Sequence, residues 1–374
     1  MTSLPEPIRR VRAIDGPSPR SDKRRSQIAY VGSHAVGPGF PPFVVAEIGV
    51  NHDGEINAAL ELIDAAAEAD VQAVKFQMFD AQALVGSAVP TARYQSQNTG
   101  RSEQRALLAA LELNHDDWWR VVERCQMRGV LFMATPFGVR EVDRLVDLHP
   151  CALKIASPDL VDELLLARAC QTDLPLILST GASTEPEMDD AVRYVRQARG
   201  RDDLILLHCV SCYPTPPDHA NLRAIETLHQ RFDVPVGFSD HTTSVDIAAW
   251  AVCAGACLLE KHFTLNRNAP GPDHVASLDP TQLAGYVRHA RQAHESMGTG
   301  QLGFQAIEEE VRRLGRKSIV ATGEIRSGEK ITAQHLTAKR MGAGLSPQQL
   351  HSLIGRRARV DIPADAPITW GQVE

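Results

Sequence analysis

The chain of 374 residues lacks the features that mark several classes of protein. None of its apolar runs approaches the roughly 18 residues that a membrane helix requires, so we expect no membrane span. The formal net charge is -7 at pH 7, whereas a nucleic-acid-binding protein usually presents a basic face. We therefore expect neither a membrane nor a nucleic acid among the partners.

Cysteine is also scarce, with seven residues scattered along the chain. The odd number argues against a disulfide framework, and the Arg- and Pro-rich N-terminus has no apolar segment typical of a secretory signal. The sequence thus predicts a reducing, cytoplasmic location. Cys209 and Cys212 form a C-x-x-C at the end of a predicted strand, with no second pair to complete a zinc site, so we interpret them as structural thiols.

Eight short runs rich in Val, Ile and Leu alternate with longer amphipathic segments from Phe43 onward. Strands buried on both faces read as continuous apolar runs, and helical crossovers between them imply parallel pairing. Eight such units in about 250 residues predict an α/β fold of the (β/α)8 TIM-barrel type. A doubly wound open sheet is the alternative, but no G-x-G-x-x-G follows the first strand.

The remaining segments complete a predicted domain organisation. Residues 1–26 are expected to be a flexible basic tail, for which binding of a partner or nucleic acid is the alternative to a solvated segment. The barrel domain is expected to span 27–300, with an N-terminal hairpin at its floor. Residues 301–315 form a Gly-interrupted linker, and 316–374 a small β-rich domain that buries little apolar surface alone and is expected to dock on another surface.

Polar residues recur where the predicted strands end, which is where TIM-barrel enzymes place their functional groups. These strand-end residues are Glu47, Lys75, Gln77, Thr135, Lys154, Ser157, Ser179, Ser211, Tyr213, Ser239, His241, Glu260 and His262, with His208 and, further along, Asp273. Ammonium and hydroxyl groups together suit a phosphate or carboxylate. Two imidazoles on neighbouring strands suit a divalent metal. A hydrogen-bonded structural histidine and a solvated strand-end lysine are the alternatives at single positions.

The stretches that carry these residues resemble the bacterial sialic acid synthase family, which makes N-acetylneuraminate, legionaminate and pseudaminate. The resemblance lies in AEIGVNHDG, VKFQ, ATPFG, LKIAS, LSTG, LHCVSCYPTP, GFSDHT, EKHFTL and GPDHVASLDP. Near the end, SIVATGEIRSGEKIT and KRMGAGLSP resemble the SAF (antifreeze-like, β-clip) domain of that family. The resemblance implies a TIM barrel plus a C-terminal SAF domain, in a homodimer where each SAF domain caps the partner's active site.

The resemblance also implies a reaction and roles for residues. The family condenses phosphoenolpyruvate with an open-chain N-acetylated aminosugar, such as N-acetylmannosamine or a 2,4-diacetamido-trideoxyhexose, and releases phosphate. By motif, His241 and His262 would hold a divalent metal, manganese before magnesium or cobalt. Phosphoenolpyruvate would be bound by Lys75, Lys154, Ser157, Ser179, Ser211 and Ser239. The sugar would be met by Gln77, Thr135, Phe137, Asp159, Tyr213, Asp273 and Arg340, with Glu47 and Glu260 as catalytic carboxylates.

Two positions depart from the N-acetylneuraminate pattern: Ser211 replaces the Asn of some members, and Asp159 replaces a Glu that often contacts the sugar. Two rival functions stay open. A metal-independent Schiff-base aldolase could use Lys75 or Lys154 as its nucleophile. A non-catalytic sugar-binding protein would have no need of the strand-end residues.

Overall fold

The structure, a computed structural model, describes residues 27–87, 89–201 and 203–374. The predicted basic tail at 1–26 lies outside the described residues. The chain divides into two compact units, Met1–Gly298 and Thr299–Glu374. Among the described residues, no helix combines the length and apolar character needed to cross a membrane.

A closed barrel of eight parallel strands forms the centre of the first unit, which confirms the predicted fold class. Its strands are β3 (Phe43–Gly49), β4 (Ala73–Met78), β5 (Leu131–Pro136), β6 (Leu153–Ile155), β7 (Leu176–Ser179), β8 (Leu204–Cys209), β9 (Val236–Asp240) and β10 (Leu258–His262). They follow one another around the barrel in chain order, and β10 closes on β3. Every residue of β3, β8, β9 and β10 is buried, which explains the apolar runs FVVA in β3 and LILL in β8. The polar residues of β9 and β10 lie at the carboxyl ends of those strands.

Helices surround the barrel and connect its strands. They are α1 (Ile56–Glu68), α2 (Ala81–Leu84), α3 (Arg93–Thr99), α4 (Gln104–Ala109), α5 (His115–Arg128), α6 (Val139–Asp147), α7 (Glu163–Cys170), α8 (Glu185–Arg199), α9 (Arg223–Phe232), α10 (Ile247–Cys253) and α11 (Pro280–Met297). Local sequence sets their ends. Thr184 and Glu187 form a capping box at the start of α8, and Gly200 ends that helix in the left-handed conformation.

Two apolar cores hold this unit together. The larger lies between the strands and the surrounding helices and includes Phe76, Trp118 and Tyr286. The smaller combines inward side chains of the strands with the hairpin β1 (Ala29–Val31) and β2 (His34–Val36). The hairpin therefore packs on the barrel interior at the end where the strands begin, and the opposite end stays open for polar residues.

The second unit contains α12 (Glu309–Gly315), the antiparallel pair β11 (Lys317–Ala321) and β12 (Leu336–Arg340), and α13 (Leu350–Leu353). Isolated bridges, such as the one between Ile325 and Ile362, add to its β character. Its own small core includes Ile319, Ile331 and Ile368.

Candidate active site

A cavity of about 310 Å³ lies at the ends of the barrel strands and gathers most of the predicted site residues. Its lining includes Glu47, Lys75, Gln77, Thr135, Phe137, Lys154, Ser157, Ser179, Ser211, Tyr213, Ser239, His241, Glu260, His262 and Asp273. These side chains come from the barrel strands and from the loops that follow them. The convergence arises because parallel strands of a closed barrel all end at the same rim.

Three residues considered from the sequence lie elsewhere. Asp159 is in a short 3-10 turn, Ser157–Val161, and is absent from the cavity lining, although Pro158 lines it. Burial raises the pKa of Asp159 to about 6. Arg340 belongs to the second unit, where it is exposed at the end of β12. His208 bonds through Nε2 to the Ala220 carbonyl at 2.8 Å and has the structural role given above as the alternative.

A buried ionic cluster lies at one side of the cavity. The Lys75 ammonium is 2.9 Å from Glu47 and 3.6 Å from Glu260, and it donates a hydrogen bond to Thr135 Oγ1 at 3.0 Å. Lys154 Nζ lies 3.7 Å from Glu260 on the other side. Because all four charged groups are at most 6% exposed, solvent screens their interactions weakly.

The pKa values of the two carboxylates in this cluster are shifted in opposite directions. Burial favours the neutral form of both, but Lys154 and Lys75 outweigh it at Glu260 and lower its pKa below the ordinary value. At Glu47 burial prevails over the attraction of Lys75, and its pKa is raised. Opposite shifts in neighbouring carboxylates are typical of sites in which one group carries a fixed charge and the other handles a proton.

The two lysines also differ. Burial acts against the charged form of Lys75, but Glu260 and Glu47 outweigh it and raise the pKa. For Lys154, burial dominates and lowers the pKa despite the attraction of Glu260. Of the two lysines, Lys75 therefore holds its positive charge more strongly.

Hydroxyl groups lie beside the lysines. Ser157 Oγ accepts a hydrogen bond from the Gly181 amide at 3.0 Å, and Ser239 Oγ donates to Glu260 at 3.0 Å. Ser179 Oγ is buried without a hydrogen-bond partner among the described residues. A Cβ at Gly181 would lie 2.5 Å from Ser211 Oγ and 2.8 Å from Ser157 Oγ, so only glycine leaves this space open. An orphaned hydroxyl beside such a space suits a bound anion.

His241 and His262 form the imidazole pair that the sequence predicted. Their ring centroids are 5.4 Å apart, and both side chains are buried at the cavity wall. His241 Nδ1 bonds to the Val210 carbonyl at 2.8 Å, so in the neutral ring Nε2 carries the lone pair that a metal needs. Burial acts against the charged form of His241, but Cys209 and the Val210 carbonyl outweigh it and raise the pKa. Burial lowers the pKa of His262 well below its ordinary range, so the ring is neutral at pH 7.

The two rings suit a divalent cation as a pair of protein ligands. His262 Nδ1 is a buried nitrogen without a hydrogen-bond partner in the described part of the chain. Within residues 27–87, 89–201 and 203–374, no group of three or more His, Cys, Asp or Glu side chains is placed to hold a metal. A cation between the imidazoles would therefore take its other ligands from water or substrate.

Aromatic and acidic side chains complete this part of the wall. The Tyr213 ring centroid lies 4.1 Å from that of His241. Burial raises the pKa of Asp273 to about 6. Ser277 Oγ donates to the Asp273 backbone carbonyl at 2.7 Å and accepts from the Asn51 side-chain amide at 2.8 Å. The loop that follows β10 is thus tied to the loop that follows β3.

Sequence reasoning missed several lining residues, among them Cys209 and a second set from a single segment. Cys209 was interpreted as a structural thiol, yet its sulfur is 3.9 Å from His241 Nδ1 at the cavity wall. Burial would raise the pKa of Cys209, but His241, Ser157 and Lys154 outweigh it and lower the pKa to about 7. The second set comes from the segment between β4 and α5 and consists of Phe79, Leu84, Gln95, Gln104 and Leu108. The long interval between the second and third apolar runs was the signal for it.

This fold and cavity define a TIM-barrel protein with a largely polar, partly charged cavity at the carboxyl ends of its strands. Residues 62–302 match the NeuB family, and residues 316–374 match the SAF domain. The chain belongs to the NeuB family, and the predicted family and SAF domain are confirmed.

Curated relatives extend over most of the chain. It is 37% identical to the N,N'-diacetyllegionaminic acid synthase of Legionella pneumophila, over 89% of this chain and 94% of that protein. It is 30% identical to a pseudaminic acid synthase of Campylobacter jejuni, over 86% of this chain and 93% of the relative. The predicted class, an acid synthase of this family, is confirmed by these relatives.

Solved structures of similar proteins also align with this chain. The N-acetylneuraminic acid synthetase of Leptospira borgpetersenii aligns with a TM-score of 0.69 at 35% identity, covering 76% of this chain and 95% of that one. A putative spore coat polysaccharide biosynthesis protein E of Chromobacterium violaceum aligns with a TM-score of 0.74 at 26% identity, covering 89% of this chain and 99% of that one.

Proposed function

We propose that this protein condenses phosphoenolpyruvate with an open-chain N-acetylated aminosugar to give a nonulosonic acid and inorganic phosphate. One observation carries the proposal: a single cavity contains two buried ammonium groups, four serines and two adjoining imidazoles. C3 of phosphoenolpyruvate would add to the sugar aldehyde, water would add to C2, and the C2–O bond to phosphate would then break.

The phosphate and carboxylate of phosphoenolpyruvate would lie against Lys75 and Lys154. The hydroxyls of Ser157, Ser179 and Ser211 would donate to the same anion, and Ser239, which donates to Glu260, would lie beside it. Preorganised donors stabilise a transition state most where negative charge grows. In this reaction that place is the departing phosphate, so both lysines would contribute to the rate as well as to binding.

His241 and His262 would hold a divalent cation, with manganese as the first candidate and magnesium or cobalt as alternatives. When bound there, such a cation supplies Lewis acidity to a carbonyl oxygen. The chain's own part is to hold the two rings close together at the cavity wall. The Val210 carbonyl fixes the tautomer of His241.

Glu47 is the better candidate for the group that orients water and accepts its proton. Glu260 faces Lys75, Lys154 and Ser239, which together hold it as a fixed anion. Glu47 meets Lys75 and Gln77, and its pKa is raised by burial. A carboxylate with a raised pKa is the stronger base of the two.

The lining favours a 2,4-diacetamido-trideoxyhexose over N-acetylmannosamine. Apolar side chains that belong to one contiguous cluster, Val50, Phe79, Leu84, Leu108 and Phe137, also line the cavity. A methyl group gains from such a surface, whereas a buried hydroxyl without a partner costs about 1–3 kcal/mol. Gln95 and Gln104 offer amides for a second acetamido group. The 37% identity to a diacetyllegionaminic acid synthase agrees.

A homodimer and a cytoplasmic location are further parts of the proposal. The second unit exposes a row of apolar side chains, among them Leu302, Ile307 and Val311, and exposed apolar rows of this kind mark protein interfaces. In the dimer the SAF domain would cap the partner's cavity, with Arg340 reaching the sugar's acyl group. All seven cysteines, each within the described residues, are free thiols, as expected in a reducing compartment.

The proposal is tested by measuring the release of inorganic phosphate from phosphoenolpyruvate with each of the two sugars, in the presence and absence of Mn²⁺. We expect release that needs both the sugar and Mn²⁺, with kcat/KM for the 2,4-diacetamido-trideoxyhexose about 10- to 100-fold above that for N-acetylmannosamine. Absence of release with both sugars would overturn the proposal. Preference for N-acetylmannosamine would overturn only the choice of sugar.

The Schiff-base aldolase remains the rival on the same barrel. The lowered pKa of Lys154 suits a nucleophilic amine, whereas Lys75 is held in its charged form between two carboxylates. Borohydride treatment in the presence of pyruvate separates the two mechanisms. A covalent adduct on Lys154, with turnover that survives a chelator, would favour the rival. The sugar-binding rival predicts tight sugar binding with no turnover.

A further inference from the structure

A second buried ion pair lies directly behind the imidazole pair. Lys261 Nζ is 2.9 Å from Asp240 Oδ2, and both side chains have no exposed surface. Neither residue lines the active-site cavity. The two are register partners on neighbouring strands, one position before His262 and His241 respectively. The pair therefore joins the ends of the two strands that carry the proposed metal ligands.

Lys261 also donates hydrogen bonds to the backbone on both sides of His241. Its ammonium donates to the carbonyl of Asp240 at 3.4 Å and to the carbonyl of Thr242. The Asp240 carboxylate in turn accepts from the Thr242 amide at 2.8 Å. Since Lys261 is bonded covalently to His262, one side chain links the main chain of both histidines.

Burial of this pair is hard to explain by stability alone. Alternation along the strands sends Ser239 and Glu260 into the cavity and Asp240 and Lys261 to the opposite face. There the ammonium lies 5.9 Å from the centroid of the buried Tyr286 ring. Apolar residues of similar volume would stabilise such a position as well or better, because removing two charges from water is costly. A role in placing neighbouring groups accounts for the charges.

We propose that Asp240 and Lys261 are positioning residues that fix the separation of the His241 and His262 rings and thereby set the affinity for the divalent cation. The inference rests on the proposed function, since it concerns the same metal site. Groups that orient metal ligands from behind typically contribute about 10- to 100-fold to metal affinity. The 5.4 Å spacing of the rings is the feature that this pair would maintain.

The test compares Mn²⁺ binding by the full chain and its variants, measured from the electron paramagnetic resonance signal of free Mn²⁺. Lys261→Met alone leaves a buried carboxylate uncompensated, so both stability and affinity should fall. The double variant D240N/K261M removes that charge, while the amide oxygen introduced in place of the Asp240 carboxylate still accepts from the Thr242 amide. We expect it to recover the wild-type melting temperature yet to bind Mn²⁺ about 10- to 100-fold more weakly.

Leu283→Ala is the matched control, since it removes a fully buried apolar side chain from α11 and leaves both ion-pair residues in place. It should lower the melting temperature and leave Mn²⁺ affinity unchanged. If D240N/K261M binds Mn²⁺ as tightly as the wild type, the pair is merely structural and the inference is wrong. A wild-type chain that shows no Mn²⁺ binding would overturn the inference and the proposed metal together. Wild-type binding without phosphate release would contradict only the proposed reaction.

Discussion

Glu47 and Glu260 show at the residue scale how the same side chain acquires opposite pKa shifts in one cavity. Both are buried and both face Lys75, but only Glu260 also meets Lys154 and Ser239. The additional donors hold Glu260 ionised, whereas burial raises the pKa of Glu47. The assignment of the proton-handling role to Glu47 follows from this difference in partners.

Glu47→Gln should therefore lower kcat at least about 100-fold without raising KM for phosphoenolpyruvate. The amide retains the shape of the side chain but cannot accept the proton of water, and a general base typically contributes about 10²- to 10⁴-fold. Steady-state phosphate release checks this. Glu141→Gln is the control, the same chemical change at a buried carboxylate of α6 outside the cavity lining, and it should retain wild-type kcat. An E47Q enzyme with more than a tenth of wild-type kcat would contradict the role.

The sequence could identify these residues but not their pairing. Polar groups at the ends of apolar runs were visible because a barrel brings all such ends to one rim. Which carboxylate meets two ammonium groups depends on strand register, here Glu47 opposite Lys75 and Glu260 opposite Ser239. Cys209 was missed for a related reason, because its closeness to His241 arises from β8 and β9 lying side by side.

At the scale of elements, the connection from β3 to α1 combines strain with burial. Gly49 has a φ of +58°, and a Cβ there would lie 3.1 Å from the Gln77 amide nitrogen, so glycine is required where the chain leaves the strand. His52 follows, buried, with Nδ1 accepting from the Gly54 amide at 3.1 Å. Burial lowers the pKa of His52 to about 4 from 6.5.

This shift predicts an acid-sensitive fold. The unfolded chain takes up a proton at His52 near pH 6.5, whereas the folded chain does so only near pH 4. The contribution of neutral His52 is thus complete above pH 6.5 and is lost as the pH falls towards 4, by about 3 kcal/mol. Urea unfolding of His52→Asn should show a shallower decline over this range, since Asn keeps an acceptor but takes up no proton.

His219→Asn, a change at an exposed histidine, is the control for that experiment and should leave the decline unchanged. An H52N chain whose stability falls as steeply as that of the wild type would show that His52 is not the cause. The predicted slope concerns stability alone, because His52 does not line the cavity.

Elements differed in how readily their sequences revealed them. The eight strands are legible because burial on both faces favours runs of apolar residues, as in β3 and β8. The short helices α2, α3 and α4 were not, since four to seven residues carry too little periodicity to stand out. Only the folded structure shows that these three helices form part of the cavity wall.

At the scale of the whole molecule, the second unit carries a row of exposed apolar side chains. Phe304, Ile307, Val311 and Leu314 recur at intervals of three and four residues, and Ile307 and Val311 are 88% and 74% exposed. Such spacing marks one side of a helical segment, and a soluble protein usually buries an apolar row of this length. A second copy of the chain is the occupant that we propose for this row.

The double variant I307D/V311D should consequently be monomeric, sedimenting near 40.8 kDa, whereas the wild type should sediment at about twice that mass. Two carboxylates in an apolar interface would be desolvated without partners, at a cost that exceeds the gain from association. The variant should keep its Mn²⁺ affinity, because both imidazoles lie in the first unit, and should lose phosphate release if Arg340 of a partner completes the sugar site. Leu164→Asp introduces the same carboxylate at a 77% exposed position on α7 and should leave the dimer intact. A monomeric wild type with full activity would exclude any contribution from a second subunit.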